Sequence, residues 1–177
     1  NLRCVIQPRG VELISSSWTL TDNTILAEQC FRYEYDAAQR MTMKKIPGAG
    51  AVWMVYDARD RLVMTQDSSM RSNHQWIYTQ YDLLNRPVAT GLLSDNNLLS
   101  YHSTRADTSA VYPASGTYTV DTLIKTFYDD YIWRAGQGNP LSGTRSNSYD
   151  SYLQTASNTS WPYAQDATAT TGQLKGM

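Results

Sequence analysis

The frame Tyr-Asp-x-x-x-Arg occurs three times in this 177-residue chain, at Tyr35-Asp36 with Arg40, Tyr56-Asp57 with Arg61, and Tyr81-Asp82 with Arg86. The Tyr-Asp pairs stand 21 and 25 residues apart. A unit that short cannot bury a face alone and must stack on its neighbours, so the repeat constrains the fold before any single motif does. Tyr128-Asp129 and Tyr149-Asp150 are weaker copies, again 21 apart but without the Arg. Asn1 to Pro8 has the spacing of Arg40 to Pro47 and reads as the second half of a further copy. The expectation is therefore a piece of a longer repeat protein, and the lack of a signal peptide then says nothing about where the parent resides.

Each copy reads as strand, tight turn, strand. CFRYEYD (30–36), VWMVYD (52–57) and WIYTQYD (76–82) precede the turns, and RMTMKKI (40–46), RLVMTQD (61–67) and RPVATGL (86–92) follow them. Period-2 alternation puts Phe31, Tyr33 and Tyr35 on one face, as it does Val52, Met54 and Tyr56, Met41 and Met43, and Leu62 and Met64. Thirteen Tyr and five Trp against two Phe suit strands with half-wet aromatic surfaces.

The loops between Asp and Arg are Ala37-Ala38-Gln39, Ala58-Arg59-Asp60 and Leu83-Leu84-Asn85. A three-residue hairpin loop places its last residue in the left-handed region, which suits Asp60 and Asn85 better than Gln39. The Asp accepts hydrogen bonds from its own turn, as Asx turns do. The Arg then sits across the hairpin mouth, within reach of that carboxylate and of the Tyr ring. As an exposed ion pair it is worth ~0.2–1 kcal/mol and fixes register more than it adds stability. A group needed at every turn is structural, so Tyr35, Asp36, Arg40, Tyr56, Asp57, Arg61, Tyr81, Asp82 and Arg86 are read as hairpin-corner residues and no residue as catalytic.

These residues resemble the YD-repeat, or Rhs-repeat, family of large secreted and cell-surface proteins, whose unit is written Tyr-Asp-x-x-Gly-Arg-Leu. The run 31–93 is similar to the version in long proteins of Bacteroidetes bacteria, with Lys44-Lys45-x-Pro47-Gly48 and Gln66-Asp67. The resemblance is fair over 1–30 and weak after about 94. The family's turn Gly is here Gln39, Asp60 or Asn85, and its Leu after Arg is Met41 and Pro87 in two copies. The resemblance implies an all-β fold, an antiparallel sheet of consecutive hairpins forming a meander or strip of a β-shell. It also implies a non-enzymatic scaffold, enclosing a toxin in some members and serving contact and adhesion in others. The Asp-Pro-x-Gly context of the family's autoprotease does not occur, so that activity is not carried over.

The expected organisation is hairpins over 1–93 with a linker at 10–29, an insertion at 94–122, and degenerate repeats with a loop-rich tail over 123–177. Asp22-Asn23-Thr24 before Ile25 reads as a capped helical turn or as loop, and 68–75 as a polar surface connection. Asp95 is placed as N-cap of a short helix near 95–106 carrying Leu98, Leu99 and His102 on one side. Residues 120–133 read as a strand, and TTGQLKG at 170–176 as the start of another unit. A long interruption of a repeat is where a specific surface often lies.

Formal net charge is −1, with 15 basic and 16 acidic residues dispersed, which argues against a nucleic-acid partner. No run approaches the roughly 18 apolar residues of a spanning helix. His74 and His102 have no metal-ligand spacing and Cys4 and Cys30 form no CxxC, so neither metal nor cofactor is expected. The two cysteines form a bridge in an oxidising compartment or remain two buried free thiols. Trp53, Trp76 and Trp133 are the candidates for stacking on a glycan in an alternative, adhesive reading with a carbohydrate or protein ligand, although most such rings pack in sheets. Unpaired edge strands predict self-association of the isolated chain.

Overall fold

The computed structural model describes residues 1–136, 148, 150–152, 159–160 and 174–176, in two compact units, Asn1–Ile124 and Lys125–Met177. Eight strands, β1 (Cys4–Ile6), β2 (Cys30–Tyr35), β3 (Met41–Lys45), β4 (Val52–Tyr56), β5 (Leu62–Gln66), β6 (Gln75–Tyr81), β7 (Pro87–Ser94) and β8 (Thr119–Lys125), pair strictly in chain order. The all-β antiparallel meander expected from the repeats is thus the architecture, with short helices at the connections. β2–β3, β4–β5 and β6–β7 are the three repeat hairpins.

The connections fold where their caps allow. α1 (Pro8–Ile14), not anticipated, begins on Pro8, whose fixed φ suits the first helical position and whose missing N–H costs nothing there. In α2 (Asn23–Glu28), Asp22 accepts from the Thr24 amide at 2.7 Å, which resolves the open choice at 22–28 in favour of a helix. Asp67 accepts from the Met70 amide at 2.8 Å and turns the polar stretch at 68–75 into α3 (Ser68–Ser72). The helix expected near 95–106 is α4 (Leu99–Asp107), but Asp95 does not cap it. Asp95 instead closes its own turn, accepting from the backbone and side-chain amides of Asn97 at 2.9 and 2.7 Å. Leu98, expected beside His102, is exposed, whereas His102 and Ala106 are buried.

The expected apolar faces are partly reversed. Each hairpin carries a register shift just before its corner, at Glu34/Tyr35, Val55/Tyr56 and Gln80/Tyr81. In the second, Tyr56 pairs Leu62 while Val55 pairs Met64, which leaves Val63 as the extra residue of a bulge. Leu62 therefore follows Tyr56 to one face and is 37 % exposed, while Met64 follows Val55 to the other at 1 %. Val52, Met54 and Tyr56 are only half-buried. The core consists of Val55, Val63, Met64, Trp76, Tyr78 and Leu93 of the sheet, closed by Ala106 and Tyr112 from the 94–122 segment.

Gly91, paired with Tyr78, is a point where β8 approaches closely: a Cβ there would run into the Asp121 carbonyl oxygen and lie 2.8 Å from Thr122 Cα. Backbone cannot yield as a flexible side chain does. Gly91→Ala is expected to cost about 1–3 kcal/mol or more, read as a lowered urea midpoint. An unchanged midpoint would mean that β8 does not lie against this glycine.

In the second unit, β9 (Phe127–Tyr128) pairs antiparallel with β10 (Leu174–Gly176), and α5 (Trp133–Gly136) and a 3-10 turn at Asp150–Tyr152 follow β9 in the chain. The strand expected over 120–133 thus breaks at Thr126 and ends at Tyr128. At the weak copy Tyr128-Asp129 the Asp itself has φ 71°, so no three-residue corner forms there. Tyr149 and Trp161 lie outside the described residues.

Candidate functional site

The three corners share one geometry. The amides of Asp36, Asp57 and Asp82 each donate to the carbonyl of the Arg four residues on, at 3.0 Å. The third loop residues Gln39, Asp60 and Asn85 have φ of 65°, 60° and 62°, so the left-handed position is occupied in every copy, including the one with Gln. In each corner Asp Oδ1 accepts from the Arg amide, at 2.9, 3.0 and 3.0 Å. Oδ2 accepts from Arg Nε at 2.6, 2.8 and 2.7 Å.

The guanidinium groups do more than close their own hairpins. Arg40 Nη1 donates to the Asp57 carbonyl (3.2 Å) and to Asp60 Oδ1 (2.8 Å) of the next corner, and its guanidinium lies 5.4 Å from the centroid of the Tyr56 ring. Arg61 repeats this one unit on, with the Asp82 carbonyl (3.2 Å), Asn85 Oδ1 (3.0 Å) and the Tyr81 ring at 4.9 Å. The ring each Arg covers thus belongs to the following repeat, a correction to the single-hairpin picture. The third direction of each fork meets the 94–122 segment: Arg40 Nη2 reaches Asp107 Oδ1 and Arg61 Nη2 the Ala110 carbonyl, both at 2.7 Å. Tyr81 ties backward, its hydroxyl donating to the Leu62 carbonyl at 3.0 Å. Tyr35 is half-buried on β2.

The loop's third residue does more than adopt the left-handed conformation. Asp60 and Asn85 are also the acceptors that receive the preceding arginine. Gln39 follows the half copy with Asn1 at the Arg position, which is the sequence signal that separates the two roles. The estimate for an exposed ion pair also fails in the second corner, because the Asp57 side chain is 0 % and that of Arg61 10 % exposed.

A second polar group was not assembled from the sequence. His102 Nδ1 shares a hydrogen bond with the Tyr112 hydroxyl (2.7 Å), which in turn meets the Tyr118 hydroxyl (2.8 Å). Nε2 lies 3.9 Å from Asp95 Oδ2, and the Trp76 ring stands 4.8 Å from the imidazole, edge on. Burial pushes the His102 pKa below its ordinary value against the pull of Asp95, with Arg105 adding to the depression. His102 and Tyr112 are buried, so this chain of groups joins α4 to the later part of the insertion and offers no open face to a substrate.

The titrations have opposite physical origins and the same sign. Burial raises Asp36 and Asp82, but the backbone and side-chain hydrogen bonds of Arg40 and Arg86 outweigh it and hold both carboxyls below their ordinary value of 3.8. His102 binds its proton more weakly folded than unfolded, so stability is complete above about pH 6.5 and falls as pH drops toward its native value. The Asp contribution is present above pH 3.8 and is lost as pH falls through the lowered native values. A stability profile with two acid steps is expected from urea midpoints, and His102→Gln should abolish the upper step alone. A single step in the variant and the wild type alike would contradict it.

The three candidate tryptophans differ in how far the protein covers them. Trp76 is 0 % exposed, Trp53 carries the Arg71 guanidinium 4.2 Å from its ring centroid, and Trp133, in the second unit, stacks on Phe127 at 4.7 Å. Of the three rings named for a glycan platform, Trp76 is closed to a ligand, while Trp53 and Trp133 are half-buried with Arg71 and Phe127 against them. A cleft of about 440 Å³ lies between the first corner and α4, lined by Asp36, Arg40, Tyr56, Thr104 and Asp107 among others. Among the described residues no group of three or more His, Cys, Asp and Glu is placed to hold a metal ion, and no helix is long and apolar enough to cross a membrane. Comparison with protein-family models, curated proteins and solved structures finds no match.

Proposed function

We propose that this chain is a non-enzymatic structural module of YD-repeat, or Rhs-repeat, type, a strip of scaffold or shell within a larger secreted or cell-surface bacterial protein, of the kind that encloses a toxin. The observation that carries the reading is the ladder of Arg40 and Arg61, in which the most specific residues of the sequence are spent on joining one hairpin corner to the next. Such residues hold a repeat in register. Sequencing the reading frame on both sides tests it: further Tyr-Asp-x-x-x-Arg units are expected, and flanks without them would overturn the assignment.

A second reading, adhesion through a glycan or protein ligand, is favoured by the polar cleft between Arg40, Tyr56 and Asp107. A glycan array bound by the wild type and silent for Tyr56→Ala would support it over the scaffold. In the eight-strand sheet β1 and β8 are the edges, and Val120, Leu123 and Ile124 of β8 are exposed. Self-association that grows with concentration is expected by light scattering, and Leu123→Lys should reduce it. A strictly monomeric wild type at high concentration would refute edge pairing.

A further inference from the structure

β1 and β2 are held in a register that pairs Cys4 with Arg32 and Ile6 with Cys30. The two cysteines therefore share one face of adjacent antiparallel strands, diagonally placed two residue pairs from direct opposition. Both thiols are free, Cys4 exposed and Cys30 buried. They lie close enough to act on each other: burial first, then the charge and hydrogen bond of Cys4, push the Cys30 thiol pKa up, while Arg32 of β2 and Lys45 of β3 face it and pull the other way.

We propose that Cys4 and Cys30 form a reversible disulfide that fastens the edge strand β1 to the sheet, formed by exchange with a low-molecular-weight disulfide. The exposed Cys4 thiolate attacks one sulfur of the reagent, forming a mixed disulfide and releasing one thiolate. The Cys30 thiolate then attacks the Cys4 sulfur, closing the protein bridge and releasing the second thiolate. The two cysteine protons pass to solvent or to those thiolates, the protein is oxidised by two electrons, and the reagent is reduced by the same two. Diagonal positions on paired strands lie about 7–8 Å apart at Cα, slightly beyond the ~4.4–6.8 Å of an ordinary bridge. β1 has three residues and an unpaired outer side, so it is the strand able to move inward. The second step is the slower one at neutral pH because Cys30 surrenders its proton reluctantly, and it accelerates as pH rises.

The full chain is incubated with oxidised glutathione and read by intact mass and iodoacetamide labelling. Expected is a monomer lighter by two hydrogen atoms with both thiols blocked, forming faster at pH 8.5 than at pH 7 (roughly tenfold or more) and reversed by dithiothreitol. Cys30→Ser should stop at a single glutathione adduct on Cys4. In the bridged form the amides of β1 and β2 should exchange hydrogen about tenfold more slowly. A wild-type chain that ends as a glutathione adduct, pairs between molecules or keeps both thiols would overturn the bridge, and unchanged exchange in a bridged chain would overturn the fastening.

Discussion

Arg61→Ala is expected to destabilise the fold by about 3–5 kcal/mol, because it strands the buried Asp57 carboxylate without a counter-charge. Asp57 Oδ2 accepts from Arg61 Nε at 2.8 Å and Nη2 at 2.6 Å, and Oδ1 keeps only the backbone amides of Arg59 and Arg61. The same substitution cuts the link to the Asp82 carbonyl, Asn85 and the Ala110 carbonyl and uncovers the Tyr81 ring. Arg86→Ala provides the contrast. Its pair with Asp82 is 21 % and 22 % exposed, so water rehydrates the carboxylate and the loss should be nearer 1 kcal/mol. The double variant Asp57→Asn/Arg61→Met removes the stranded charge while leaving an oxygen for the two backbone amides, and should recover a substantial part of the Arg61→Ala loss. Urea denaturation of all three decides the matter. If Arg61→Ala costs no more than Arg86→Ala, the buried rung is not what holds the second and third corners together.

The corners were legible because their chemistry is local. Asx turns, left-handed third residues and an Arg four places after Asp all lie within one hairpin, where sequence spacing maps directly onto distance. What the spacing hides is the next hairpin. That Arg40 meets Asp60 and Arg61 meets Asn85 depends on lateral strand pairing: the separations of 20 and 24 residues follow the repeat spacings of 21 and 25, but spacing alone does not say that successive corners touch. The buried faces were misjudged for a similar reason. Alternation was carried through Val63, where a bulge resets it, and one inserted residue sends Leu62 outward and Met64 inward. In sequence His102 stands as an isolated imidazole, because Tyr112 and Tyr118 come to it only after the insertion folds back onto the repeats.

Trp76→Ala should be comparably severe, about 3–5 kcal/mol, and its companion Trp76→Phe should be much milder. Trp76 is fully buried at the centre of the core, 6.3 Å from the Trp53 ring and 4.8 Å from the imidazole of His102. Truncation to Ala opens a void between sheet and insertion that neither rigid strand pairing nor α4 can fill. Phe keeps most of the apolar contact and also removes the indole N–H, a buried donor with no hydrogen-bond partner among the described residues. Since leaving such a donor unsatisfied costs about 1–3 kcal/mol, its removal offsets part of the lost volume. Denaturation followed by far-UV circular dichroism avoids relying on the fluorophore being replaced. Equal losses for Phe and Ala would mean that the indole is held by its nitrogen, not by packing. A stable Trp76→Ala chain would detach the insertion from the repeats, and with it the reason Asp107 and Ala110 stand where the arginine ladder reaches them.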